Sequence, residues 1–305
     1  MPVSSKEDRV ITLSSDALSV SVLANRGARL TSLFNRNDQR EWLSQPRHRT
    51  LERGPEYGSL FTETDHYGWD EMCPTVDACR FPSDPFLGEE VPDHGELWTL
   101  AWDVIESSDA RIHQRVKSER FGFTFERVLR VEGATLRSEY MCVVASEVAV
   151  PLLWALHPQF TMKDGSRLVL PGLRSTVLDT SLSTEVRDVT WFGDAVVERD
   201  VAKGDDRMFY LRPEDHVNEA ALIDETGSWL QLAWDRTFAP YLGIWMDHAH
   251  YTPGRVMAVE PTNGFLDDLS RAHQQGTLVP FQPGERVSWW VELTIGSGEV
   301  KWKSS

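Results

Sequence analysis

Phe121-Gly-Phe-Thr-Phe-Glu-Arg-Val-Leu-Arg-Val131 decides the fold. On an extended chain Phe121, Phe123, Phe125, Leu129 and Val131 fall on one side, and most of the intervening residues are polar. That is the period-two pattern of a half-buried strand. The alternation returns near the C-terminus at Val287, Trp289, Val291, Leu293 and Ile295, behind the turn residues Gln282-Pro-Gly-Glu285. Shorter strand-like runs cover 18–23, 98–105, 135–144, 229–234, 241–246 and 256–259, joined by turns rich in Gly, Pro, Asn and Asp. Helical spacing is found only over 265–275, where Leu266, Leu269 and Ala272 share a face and Gly276 can end the turn. Many strands with one short helix make an all-β protein, read here as a large antiparallel β-sandwich. With no internal repeat and no linker-like stretch, residues 1–305 are expected to form a single domain. The strand-poor segment from about 45 to 93 is too long to be an idle connection.

The bulk numbers narrow the function. Hydrophobic residues make up 41% of the 305, enough for a large core. The net charge of -16 is spread along the chain without a Lys/Arg cluster, which argues against nucleic acid and anionic membranes as partners. Met1-Pro-Val-Ser-Ser-Lys-Glu-Asp-Arg9 lacks an apolar signal core and no run reaches membrane-spanning length, so a cytoplasmic location is expected. Cys73, Cys79 and Cys142 form neither a disulfide framework nor a Cys-x-x-Cys metal signature and read as reduced thiols. Twelve tryptophans are the compositional outlier; most belong in a core, and some, such as Trp69 and Trp245, are candidates to form platforms for a ligand such as a sugar ring.

Four segments could carry chemistry. Glu63-Thr-Asp-His-Tyr-Gly-Trp-Asp-Glu-Met-Cys-Pro-Thr75 puts four carboxylates, a histidine and two aromatics into thirteen positions. It is either a solvated acidic loop or a binding loop in which Trp69, Asp70 and Glu71 meet a sugar's C–H face and hydroxyls. His94 lies on a tight turn before Gly95, which could let backbone approach a ligand; a surface turn histidine is the competing role. His157 closes the apolar run 152–156 and precedes Pro158, so its ring is expected at a strand end near the core, in need of a hydrogen-bond partner. Glu260 follows Val256-Met-Ala-Val259 and precedes Pro261, where the apolar run stops and the chain is expected to turn. Buried there, it must be paired, hydrogen-bonded or protonated, and a structural ion pair to Arg29 or Arg255 competes with a catalytic role. Asp247-His-Ala-His250 and Asp65-His66 offer metal ligands, but the pattern is short and nonspecific, so no metal is expected. No Gly-x-Gly-x-x-Gly, Walker loop or Gly-x-Ser-x-Gly elbow is present.

Taken in order, these residues resemble the aldose 1-epimerase, or galactose mutarotase-like, family. The resemblance covers most of the chain and rests on Ala24-Asn-Arg-Gly-Ala-Arg-Leu-Thr-Ser-Leu33, His94-Gly95, His157-Pro158-Gln-Phe160, Glu260-Pro261 and the ending around Pro283-Gly-Glu285. It implies a β-sandwich that binds a monosaccharide on its concave face without a cofactor. It further implies Glu260 as general base on the C1 hydroxyl, His157 as the acid at the ring oxygen, and His94 as a hydrogen-bonding partner nearby. The family's substrate-contacting arginine has no obvious counterpart; Arg26 or Arg80 could substitute. The loop around Trp69, with Asp70 or Glu71 on sugar hydroxyls, resembles a divergent branch. A hexose-6-phosphate substrate would need a cationic pocket, which so acidic a chain disfavours. The alternative on the same fold is a non-catalytic sugar-binding or regulatory protein.

Overall fold

The computed structural model describes residues 8–46, 55–64, 66–173, 176–182, 185–190, 195–197 and 201–303. Among them, eleven strands form one sheet and nine form a second. The middle of the larger sheet runs Arg29–Asn35, Trp69–Met72, Ala155–Thr161, Arg255–Thr262, Tyr241–His248 and Asp206–Tyr210, each antiparallel to its neighbour. The middle of the smaller sheet runs Ser228–Trp234, Val287–Ser297, Thr135–Val144, Phe123–Glu132 and Arg111–Ser118. Phe123–Glu132 and Thr135–Val144 alternate buried and less buried residues along their length, as the sequence pattern requires. One apolar cluster from Leu13 to Ile295 fills the space between the sheets. No helix among the described residues is long and apolar enough to cross a membrane.

Several sequence boundaries move. The expected 98–105 strand is a short 3-10 turn, Leu97–Thr99, followed by a strand at Asp103–Ser107. The helix is trimmed to Leu269–Gln274, because the Asp268 side chain caps it by accepting the Arg271 N–H. Glu260 and His157 are not at strand ends: Arg255–Thr262 continues through Pro261 and Ala155–Thr161 through Pro158. Proline gives up one ladder donor but its fixed φ suits extended backbone, so neither strand has to turn there.

The apolar face of Phe123–Glu132 carries one charge, Arg127, which is fully buried. Across the core it meets Glu71, also fully buried, with Nη1 donating to Oε1 at 3.0 Å. Tyr140 Oη donates to the same oxygen at 2.9 Å, and Trp154 Nε1 donates to Oε2 at 3.0 Å. The second Arg127 nitrogen donates to Gln114 Oε1 at 3.1 Å and to the Ala28 carbonyl. Glu71 belongs to the larger sheet, and Arg127 and Tyr140 to the smaller, so this network pins one sheet to the other. Burial pushes the Glu71 carboxyl above its ordinary range, against the pull of Arg127, Tyr140 and Trp154.

Arg127→Met should destabilise the protein by about 3–5 kcal/mol at neutral pH, since it strands a buried carboxylate. Without Arg127 the folded-state pKa of Glu71 rises further above its unfolded value. Between those two values the folded state holds the extra proton, so the variant is most stable below the unfolded pKa and weakens as pH rises through the folded one. Urea titrations across that range test this; a deficit independent of pH would contradict an ionised, paired Glu71.

Candidate active site

Antiparallel register assembles the site. Ala155 opposite Thr262 and Gln159 opposite Ala258 put His157 directly across from Glu260. On the far side of His157 lies Asp70, and beyond Glu260 come Gly243 and then Tyr210. Residues opposite one another on neighbouring strands share a face, so these five form one row across the sheet. Because Glu71 points at the smaller sheet, the Asp70 row lies on the outer face.

At the centre of the row His157 Nδ1 and Glu260 Oε1 are 2.6 Å apart, both residues almost fully buried. That contact fixes the ring and leaves Nε2, which is buried and makes no hydrogen bond within the described protein. Gly243 supplies the space beside them. A Cβ there would come within 2.7 Å of Met208 Cε, 3.2 Å of Tyr210 Cζ and 3.4 Å of Glu260 Oε2.

Loops cover this outer face and make a pocket of about 300 Å³, whose lining includes His157, Glu260, His94 and Trp245. His94 sits at φ +60° and packs edge-on to His157, ring centroids 5.2 Å apart. Its Nδ1 is 2.8 Å from Asp93 Oδ1, while Asp93 Oδ2 accepts the Phe61 N–H at 2.9 Å. Burial opposes ionisation of Asp93, but the bonds and charge of His94 and the Phe61 N–H outweigh it and hold the carboxyl below its usual range. Phe61 in turn stacks flat on the His94 ring at 4.0 Å. Both histidines thus have Nδ1 tied to a carboxylate, leaving Nε2 as the nitrogen free for a ligand.

The remaining wall is acidic. Asp77 and Asp267 line it together, with the Asp267 carbonyl accepting both the Val76 and Asp77 N–H groups and Tyr210 Oη donating to Asp267 Oδ1 at 2.7 Å. Burial, reinforced by the neighbouring carboxylates, drives the Asp267 carboxyl well above its ordinary range and raises that of Asp77. Trp245, 5.6 Å from the His157 ring, is steered by Asp206, whose carboxylate accepts its Nε1–H at 3.3 Å.

Of the residues named from the sequence, the pocket brings together Glu260, His157, His94 and Trp245 and leaves out the rest. Trp69, Asp70 and Glu71 cannot face one ligand, since they are consecutive on a strand: Trp69 and Glu71 point into the core, while Asp70, on the pocket face, is bound by Arg29 through two 2.8–2.9 Å contacts. Arg26 pairs with Asp8, and Arg80 with Glu90 on a small exposed two-stranded sheet, so neither reaches the pocket. Gly95 admits no ligand; it lies against the Cys73 carbonyl, 2.1 Å from where its Cβ would be. His248 and His250 share no strand face, because the strand stops at His248 and Ala249 has φ +61°; they bond Val201 and Asp206 instead. Among the described residues no three His, Cys, Asp or Glu side chains converge as a metal set. Asp65 lies outside the described residues. Sequence reasoning missed Phe61, Asp77, Asp206 and Asp267 in the pocket, and took His66 only as a loop ligand. For Asp206 the signal was the strand Asp206–Tyr210, which brings Asp206 and Met208 alongside Trp245.

No protein-family profile and no curated protein matches the chain by sequence. Solved structures do match it by shape. A galactose mutarotase-like protein from Lactobacillus casei superposes with a TM-score of 0.75 at 17% identity, covering 94% of this chain and 100% of its own. A protein of Synechocystis sp. PCC 6803 gives 0.75 at 16%, covering 98% and 99%. A galactose mutarotase related enzyme from Lactobacillus acidophilus gives 0.72 at 16%, covering 96% and 100%. Identities this low carry the architecture alone, and by that measure the chain has the galactose mutarotase-like fold, in a sequence far from these three.

Proposed function

We propose that the protein is an aldose 1-epimerase, interconverting the anomers of a monosaccharide without a cofactor. The observation that carries this reading is the cross-strand pair His157 Nδ1–Glu260 Oε1 at 2.6 Å, set in a pocket that also holds the His94 ring. Anomer exchange needs one group that takes a proton from the C1 hydroxyl and one that gives a proton to the ring oxygen, each able to reverse its part. Glu260 Oε2 is the carboxylate oxygen left for the first task, and His157 Nε2 the nitrogen left for the second. With Nδ1 donating to Glu260, His157 can give a proton from Nε2 only as an imidazolium, for which the carboxylate is the counter-charge.

The steps balance without an outside reagent. Glu260 takes the O1 proton as the C1–ring oxygen bond breaks and C1=O forms, while His157 delivers its proton to the ring oxygen. Rotation about C1–C2 presents the other carbonyl face. Closure then returns one proton from Glu260 to O1 and one from the ring hydroxyl to His157. His94 Nε2 hydrogen-bonds the substrate beside the reacting atoms, and Trp245 offers an aromatic face to the sugar's C–H bonds.

Glu260→Gln and His157→Gln should each slow catalysed anomer exchange by about 10²- to 10⁴-fold, measured by NMR exchange spectroscopy, with sugar binding retained in calorimetry. A wild type that binds a sugar without speeding its exchange would replace this reading with that of a non-catalytic sugar-binding protein. Gly243→Ala should lower catalysis while leaving the melting temperature nearly unchanged, because the added methyl meets Tyr210, Met208 and Glu260 rather than core backbone. Full activity in that variant would mean the space beside Glu260 is not used.

A further inference from the structure

His66 is a polar group in the pocket wall to which the chemistry above gives no task. It is 95% buried, its relative exposure being 5%. The Thr62 backbone favours the protonated ring, yet neither ring nitrogen makes a hydrogen bond of normal geometry among the described residues. Buried polar atoms in folded proteins are nearly always satisfied, so a pocket-lining ring left in this state points to a partner that arrives with a ligand.

Aromatic contacts hold the ring in place. It stacks on Tyr251 at 5.1 Å and 17°, meets Phe61 edge-on at 4.7 Å, and lies 6.4 Å from Trp245. His157 touches the same two landmarks, Phe61 at 5.2 Å and Trp245 at 5.6 Å. Both imidazoles therefore border one aromatic-walled space. Burial, then the fields of His157 and His94, lowers the His66 pKa to about 3, so at neutral pH it is an uncharged imidazole with one donor and one acceptor. Among the described residues the pocket lining has four acidic side chains, Asp77, Asp206, Glu260 and Asp267, and no lysine or arginine. A sugar hydroxyl, which can both give and accept, matches a ring with one donor and one acceptor.

We propose that His66 is a substrate-binding residue whose imidazole hydrogen-bonds a hydroxyl of the sugar, setting which sugar is held while Glu260 and His157 act on C1. This rests on the sugar-pocket reading above but not on the reaction itself.

The test compares wild type with His66→Phe, which keeps a flat ring and removes both nitrogens, and His66→Gln, which keeps an amide donor and acceptor. The probes are D-glucose, D-galactose and their monodeoxy analogues, read by calorimetric Kd and by the KM and kcat of anomer exchange. His66→Phe should weaken Kd and raise KM roughly three- to tenfold, the range for one lost neutral hydrogen bond, with kcat within about twofold and His66→Gln partly restoring binding. One monodeoxy sugar should bind wild type and His66→Phe equally well, because it lacks the hydroxyl concerned. Unchanged affinities in His66→Phe, or an equal loss for every deoxy sugar, would overturn the assignment. If wild type binds sugars but exchanges none, the epimerase reading falls while the Kd comparison still decides His66. If wild type binds none of these sugars, both fall.

Discussion

A carboxylate buried between two sheets constrains everything around it, and here that carboxylate is Glu71. Its two oxygens take hydrogen bonds from Arg127, Tyr140 and Trp154, three residues distributed over strands and connections on both sides of the core. Such a network is not chiefly a source of net stability, because desolvating both charges offsets most of the attraction. Its stronger effect is on register. Slipping the Trp69–Met72 strand by one residue would bring Asp70 to face Arg127 and turn Glu71 to the outer face, so the network admits one alignment.

From that alignment the outer face follows. With Glu71 inward, Asp70 is outward beside His157, where Arg29 neutralises it through paired contacts and removes it from the pocket's chemistry. His157 then meets Glu260, and the next position in the row is a glycine, where any larger residue would meet the Tyr210 ring and the Glu260 carboxylate. His157 and Glu260 are thus placed by ladder hydrogen bonds rather than by loops, which holds their geometry to the rigidity of a sheet. His94 and Phe61 come from covering loops, and their stacking and the Asp93 bonds compensate for the weaker support.

The parts of this legible in the sequence are those governed by period two. The strands 18–23 and 135–144 coincide with Leu18–Leu23 and Thr135–Val144, because alternation is local and each side chain reports its own face. Pairing is not local. His157 and Glu260 are 103 positions apart, and only the family resemblance joined them beforehand. The cluster Trp69-Asp70-Glu71 was misread for a related reason: within a segment taken as a loop its three residues could all face a ligand, but four residues of strand send them alternately to opposite sides. Arg127 held the missing clue, as the lone charge on the apolar face of the 121–131 segment; a buried arginine demands a carboxylate, and Glu71 answers that demand.

The acidity of the whole chain also acquires a location. A net charge of -16 reads from composition as a general aversion to anions, yet most of that charge is solvated and screened within about 10 Å. The pocket concentrates the effect, because its acidic side chains face a partly enclosed space where screening is weaker, with no lysine or arginine in the lining among the described residues. Asp77 and Asp267 respond as crowded carboxyls do, by holding protons more tightly. Carboxyls that hold protons tightly, a tyrosine hydroxyl and imidazoles set hydrogen-bond donors and acceptors side by side along the wall. At the centre of that wall Glu260 meets His157 through Oε1 alone, so the row of the sheet, and not the covering loops, sets which of its oxygens turns toward the enclosed space.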